Sequence, residues 1–266
     1  MSRFAEGRFP VDERTLMLPG AVNLRDFGGY ATEDGGVVVR HRLYRSGSLA
    51  HLSDEGKHAF AELGISLICD LRREEEKAEE PTPIFRHAPR RLEIPIFPGS
   101  ALRMHDAGDA ARMTLAERID FMVTINRELA RDHAEDYARM FEALLHHEEG
   151  SFLVHCSAGK DRTGFACALI LHALGVPEET VLEDYLLTNS ALDFEGYILP
   201  RLLDRYGHAA VPDREAAMAL AGVRPEYLRA AYEAIEAEFE GVEHYLERAV
   251  GLDAAARETL RARLTR

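Results

Sequence analysis

A cysteine and an arginine with five residues between them stand in the segment His155-Cys156-Ser157-Ala158-Gly159-Lys160-Asp161-Arg162-Thr163-Gly164. The chemistry this spacing allows is attack of a thiolate on a bound phosphate. A loop of that length can curl so that its backbone N–H groups point inward. Such a nest, joined to a helix N-terminus, binds a tetrahedral dianion. Ser157, Ala158, Gly159, Lys160, Thr163 and Gly164 would then surround the phosphate, with the two glycines allowing tight turns and close approach. Arg162 would sit in the first helical turn, where its planar fork can hold two phosphate oxygens, as a lysine could not. Helix N-termini and nearby cations favour the ionised form of a thiol, which would make Cys156 a nucleophile able to attack phosphorus in line. The product of that attack is a phosphocysteine that water hydrolyses. The Thr163 hydroxyl is placed to reach the sulfur, and His155 to orient the loop through its ring nitrogens. Average residue usage would produce His-Cys-x-x-Gly-x-x-Arg-Ser/Thr-Gly in a chain this long with a chance of roughly 10⁻⁶ to 10⁻⁵, which disfavours an ordinary buried cysteine beside a surface arginine.

For this loop to work, a strand must deliver it and a helix must follow it. Ser151-Phe152-Leu153-Val154 is a compact apolar strand, and Phe165 to Leu174 is apolar almost all round, as expected of a central buried helix. Ile65 to Leu71 and Leu92 to Phe97 read as further buried strands, and Val37-Val38-Val39 as a short one. Ser53-Asp54-Glu55 looks like a helix start, with that helix ending near Gly64. Residues 98–110 read as a mobile loop. Leu115, Ile119, Met122, Ile125 and Leu129 recur at helical steps, as do Tyr137, Met140, Phe141, Leu144 and Leu145, in a helix ended by Gly150. Residues 1–20 are polar and expected to be extended. Beyond residue 155 the chain is nearly all helical, so the reading is an α/β fold with a twisted, mostly parallel sheet flanked by helices and a helix-rich C-terminal half. One domain over residues 1–266 suits the length.

Composition narrows the partners. Thirty-two basic residues against 46 acidic ones leave a net charge of −14, which disfavours nucleic acid and anionic membrane surfaces. No apolar run approaches a membrane span, so no stable membrane insertion is expected, and residues 1–10, which hold no apolar segment, are not expected to act as a secretory signal. Cys69, Cys156 and Cys167 match no zinc spacing, and a cytoplasmic setting is the default, signal-independent export aside; the phosphocysteine chemistry is expected to need no metal or other cofactor. Cys69 and Cys167 read as small core residues.

The His155–Gly164 segment resembles the signature of the cysteine-dependent protein tyrosine phosphatases, in the form found in a bacterial branch active on proteins and phosphoinositides. Asn23-Leu24-Arg25-Asp26-Phe27-Gly28-Gly29-Tyr30 is similar to that branch's N-terminal element. Tyr44-Arg45-Ser46-Gly47 and Asp70-Leu71-Arg72 resemble its next two, and Asp184-Tyr185-Leu186-Leu187-Thr188-Asn189 the element after the catalytic helix. The resemblance implies the three-layer tyrosine phosphatase fold and hydrolysis of phosphate monoesters, phosphotyrosine first, with dual-specificity activity on phosphoserine and phosphothreonine as a further expectation. The implied partner is a phosphotyrosine-containing protein or a phosphoinositide, and inorganic phosphate is the product. The chain has no Trp, so the Trp-Pro-Asp acid loop of many tyrosine phosphatases is absent. The resemblance implies instead that Asp161 protonates the leaving group, with Asp70, Asp106 and Asp109 as alternatives. It further implies that Lys160 contacts an additional phosphate or broadens substrate choice, where the plain alternative is a solvated lysine, and that helices over residues 190–240 form a lid. Arg72 and Arg73, followed by Glu74-Glu75-Glu76, read as a charged helix start, although Arg72 could also lean toward the site, and Arg45 has a similar double reading. A lipid-directed phosphatase and a non-catalytic phosphate-binding module are the competing readings, and the paired Cys156 and Arg162 speak against the second.

Overall fold

The computed structural model describes residues 12–103, 112–206 and 214–266. Five strands form one sheet in the order β1 (Arg25–Asp26), β2 (Leu43–Ser46), β5 (Ser151–His155), β3 (Ile65–Asp70), β4 (Arg90–Glu93). The β1–β2 pair is antiparallel and the other three pairs are parallel. The expected α/β sheet is therefore present, with β5 at its centre.

Side chains alternate across the strands, as the pleat requires. Leu43, Leu67, Cys69, Phe152 and Val154 enter one apolar core, whereas Tyr44, Ile68 and Leu153 enter another. The larger core is closed by α3 (Leu115–Asp132), α4 (Ala134–Leu145) and α5 (Asp161–Ala173), with residues from α9 (Pro225–Phe239), α10 (Val242–Arg248) and α11 (Ala254–Leu264). The smaller core takes Phe60 from α1 (Asp54–Ala61) and the segment around Leu16, Leu18 and Leu24. A sheet between two apolar layers follows directly from strands that are buried on both faces. The remaining helices are α2 (Glu74–Glu79), which follows β3, and, between α5 and α9 along the chain, α6 (Glu178–Leu186), a one-turn helix Thr188–Ala191, a π-helical turn Phe194–Ile198, α7 (Leu199–Tyr206) and α8 (Arg214–Ala221).

Local signals explain the boundaries. Ser53 Oγ accepts from the Gly56 amide at 3.1 Å and caps α1, and Gly64 past its end has φ +64°. Thr114 and Glu117 form a capping box at the start of α3. Helix α4 ends at Leu145, five residues earlier than the Gly150 stop implied. The strand expected over Leu92 to Phe97 lies instead at Arg90–Glu93. Ile94 and Ile96 still donate to Asp70 and Leu71 carbonyls, but Pro95 between them has no N–H and the ladder stops. Val37 to Val39 form isolated bridges, to Ala31 and Thr265, rather than a strand. The expected loop over 98–110 begins as a 3₁₀ turn, Gly99–Arg103, and its remainder, with Asp106 and Asp109, lies outside the described residues. So does most of the expected extended segment 1–20. Among the described residues, no helix is long and apolar enough to cross a membrane.

Candidate active site

Strand β5 ends at His155 and α5 begins at Asp161, so the loop Cys156–Lys160 emerges at the carboxyl end of the central strand. That is where open α/β sheets place their ligands. Cys156 lies at the base of the loop and is only 3% exposed.

The loop's carbonyls are gripped from outside. Ser157 O accepts from the Ser48 amide at 2.7 Å and the Tyr197 hydroxyl at 3.3 Å. Asn23 Nδ2 donates to Ala158 O at 3.2 Å and to Gly159 O at 2.8 Å, and Arg45 Nη2 donates to Gly159 O at 3.0 Å. The N–H and C=O of a peptide point in opposite directions. Holding these three carbonyls outward therefore aims the amides of Ala158, Gly159 and Lys160 the other way. Among the described residues, no amide from Ser157 through Thr163 donates to a protein acceptor. Gly159 makes the curl possible: its φ is +69°, and a Cβ there would stand 2.4 Å from the Ser46 carbonyl oxygen.

Arg162 is held in a fixed pose. Its Nη1 and Nη2 donate to Glu76 Oε2 and Oε1, both at 2.7 Å, and Nη1 also reaches the carbonyls of Leu71 (3.2 Å) and Ile96 (3.3 Å). Among the described residues, no acceptor takes Nε or the second Nη2 proton, which leaves the side edge of the fork open for a second bidentate partner. Glu76 also accepts from Ser157 Oγ at 2.6 Å and from the Arg73 amide at 2.8 Å. Burial raises the Glu76 carboxyl pKa, but the bonds and charge of Arg162 outweigh it and bring it down to about 2. Glu76 is thus an anion tying α2 to both ends of the phosphate loop. In the sequence it is one of three consecutive glutamates, Glu74-Glu75-Glu76, and nothing there sets it apart from its neighbours.

Asp161 opens α5 but accepts no helix amide, so it is not a cap. Its Oδ1 lies 3.5 Å from Asn126 Nδ2 and its Oδ2 lies 3.3 Å from Lys160 Nζ. Asp70 is in a different situation. Arg72 grips it through Nε and Nη2 at 2.9 and 2.7 Å, and His155 Nε2 stands 3.4 Å away, within electrostatic reach but poorly aligned for a hydrogen bond. Burial pushes the Asp70 carboxyl up, yet His155 and Arg72 win and hold it well below the usual carboxylate range. A group so firmly ionised does not carry a proton to a leaving group. Arg72 is correspondingly buried in this pair rather than free to lean on a substrate. His155 Nδ1 donates to the Cys156 carbonyl at 3.3 Å, in line with an orienting role.

Two placements differ from expectation. Among the described residues, the buried Thr163 hydroxyl has no hydrogen-bond partner, the Cys156 sulfur included, so the anticipated contact with Cys156 is not formed. Lys160 is not a solvated lysine. It is 7% exposed, and its ammonium donates to the carbonyls of Leu220 (2.5 Å) and Gly222 (3.2 Å) just where α8 ends. Helix C-termini favour cations, so this lysine fastens the loop to the helices beyond residue 190. Cys69 and Cys167 are buried, and burial foremost pushes the Cys167 thiol up to about 12, which keeps it protonated and unreactive.

A profile described as the tyrosine phosphatase family matches residues 16–266. A Cupriavidus necator protein named as a tyrosine-protein phosphatase is 34% identical over 238 residues, covering 88% of this chain and 83% of that protein. The triple specificity protein phosphatase PtpB of Mycobacterium tuberculosis is 29% identical over 260 residues, covering 86% of this chain and 91% of its own. A tyrosine-protein phosphatase of Nostoc commune is 25% identical over 233 residues, 83% of this chain and 73% of that one. The profile spans nearly the whole described structure, including the elements that carry Asn23, Arg45, Glu76 and the Cys156–Arg162 loop, and the chain therefore belongs to the tyrosine phosphatase family.

Proposed function

We propose that this phosphatase hydrolyses phosphotyrosine in proteins through a phosphocysteine on Cys156, with Arg162 holding the phosphate and Asp161 serving as acid and then base. The observation that carries this reading is the set of unclaimed donors around one sulfur: the amides from Ser157 through Thr163 and the open edge of the Arg162 fork. Pure binding would need those donors but no nucleophile beneath them. The Cys156 sulfur attacks phosphorus as the aryl oxygen departs with the Asp161 proton. Water, deprotonated by Asp161, then displaces the sulfur and releases inorganic phosphate. The amides and guanidinium are fixed before reaction, so they stabilise the equatorial oxygens of the transition state without reorganising. No step calls on a metal or organic cofactor.

Phosphotyrosine is favoured over a phosphoinositide because Lys160, the cation expected to meet a further phosphate, is occupied by Leu220 and Gly222. Phe194, Ile198 and Ala217 pack around Val22 beside the loop, which supports the reading of the described helices within residues 190–240 as a lid. The test is hydrolysis of a generic aryl phosphate in the presence of chelator, comparing the parent with Cys156→Ser. Activity that survives chelation and vanishes in the variant supports the reading; chelator-sensitive activity retained by the variant overturns it.

A further inference from the structure

Three ionised side chains lie in the core directly behind the phosphate loop. Arg25 and Arg45 are 0% exposed and Asp184 is 1% exposed. Asp184 Oδ2 accepts from Arg45 Nη1 at 2.6 Å, while its Oδ1 accepts from the Tyr30 hydroxyl at 3.1 Å and lies 3.5 Å from Arg25 Nε. Arg25 Nη2 donates to the Asp184 carbonyl and to Thr188 Oγ1, and its Nη1 donates to Asn23 Oδ1. Arg45 Nη2 completes the set on the Gly159 carbonyl, inside the loop itself.

Two cations against one anion leave a single net positive charge. The remaining partners are neutral: hydroxyls, an amide and backbone carbonyls. Burial raises the Tyr30 phenol far above neutrality, and Asp184 adds to that rise, so it supplies no anion. Arg14, 4.3 Å over the Tyr30 ring, is already balanced by Asp12 at 2.9 Å. Buried charges are ordinarily paired, and an excess cation far from water is costly. The excess here touches the loop that is built to receive a dianion.

We propose that Arg25, Arg45 and Asp184 form an electrostatic positioning element: Arg45 lends the phosphate loop a further buried cation, and Asp184 limits the cluster to one net positive charge. The proposal rests on the phosphate-binding role assigned to the loop above. In a low-dielectric interior this charge acts on bound phosphate without contacting it. Asp184 is thus set against phosphate affinity even though it holds Arg45 in place.

That opposition supplies the test. The probe is inorganic phosphate, measured as a competitive inhibitor of aryl phosphate hydrolysis, with circular dichroism and thermal melting recorded for each variant. Arg45→Gln should weaken phosphate inhibition by on the order of tenfold, and Arg45→Lys, which keeps the charge, should weaken it much less. Asp184→Asn should leave phosphate binding as tight or tighter despite a lower melting temperature. Adding Asp184→Asn to Arg45→Gln restores the net charge to +1 through Arg25 and should recover affinity lost in the single variant. A purely structural role predicts that every variant weakens phosphate in step with its melting temperature, and that pattern overturns the proposal. Should Asp184→Asn not fold, the Arg45 pair decides: equal inhibition constants for the Lys and Gln variants refute the electrostatic role. A parent that hydrolyses no aryl phosphate would instead count against the phosphatase reading itself.

Discussion

Removing the charge of Glu76 is the perturbation that separates the loop's sequence from its working geometry. Glu76 is partly buried and receives four hydrogen bonds, two from Arg162, one from Ser157 and one from the Arg73 amide. Its carboxyl pKa falls from an ordinary 4.5 to about 2, since the attraction of Arg162 exceeds the cost of burial. A depressed folded-state pKa means stability that is present above the unfolded value and lost as pH falls through the folded one. The difference corresponds to roughly 3 kcal/mol at neutral pH, fading between about pH 5 and pH 2. Glu76→Gln should therefore lower the unfolding free energy by about 3 kcal/mol at pH 7, and by progressively less as the parent itself is titrated below pH 4. The amide of Gln can accept from one Arg162 nitrogen but presents its own donors to the other. The fork should then leave its pose, and a small misplacement of such a group costs on the order of 10²-fold in rate. The assays are guanidinium unfolding at pH 7 and pH 3.5 and kcat/KM on an aryl phosphate at pH 7. A Gln variant that matches the parent in rate would refute the clamp. A stability loss that is the same at both pH values would refute the electrostatic account of it.

Asp161→Asn should slow aryl phosphates with poor leaving groups far more than those with good ones, because only the former depend on the proton; a leaving-group series of kcat values showing equal losses would rule out Asp161 as the acid. Lys160→Ala should free the turn after α8 from the loop, seen as faster amide hydrogen exchange over residues 214–222, while the ratio of phosphoinositide to phosphotyrosine-peptide turnover stays unchanged. A selective loss of phosphoinositide turnover would show that the ammonium leaves its carbonyls to meet substrate.

The parts of this fold that were legible in the sequence are those decided by local rules. Strand β3, the capped start of α1 and the helical steps of α3 and α4 each follow from periodicity or capping chemistry within a few residues. Cys156 and Arg162 were legible for the same reason, since their spacing alone sets up a loop between a strand and a helix. The misplaced edge strand is also local: Pro95 breaks a run whose apolar residues are otherwise buried as expected. What escaped was settled at long range. The burial of Lys160 depends on carbonyls 60 and 62 positions away, and Glu76 gained its role from Arg162, 86 positions on. Neither partner leaves a pattern near the residue it recruits. The two-residue strand β1 is too short for any period to show, yet it sets Arg25 behind the loop.

The short elements that flank the signature acquire a physical meaning from this geometry. The ten residues around Cys156 supply amides, a sulfur and a guanidinium, but they do not by themselves say which way the amides point. That direction is imposed from outside, by Asn23 and Arg45 on the carbonyls of Ala158 and Gly159, and by Ser48 and Tyr197 on that of Ser157. Helix α5 orients the last amides of the set through its own first turn, and Glu76 orients the fork. Asp184, from α6, then couples Arg25 and Arg45 and so joins the first strands of the chain to the helix that follows α5. Each flanking element thus delivers one atom or charge to the loop, and their order along the chain reflects how many independent segments are needed to turn a flexible peptide inside out around a phosphate. A chain carrying the cysteine and arginine alone would have the reagents without the concave surface, and its amides would spend themselves on their own carbonyls or on water.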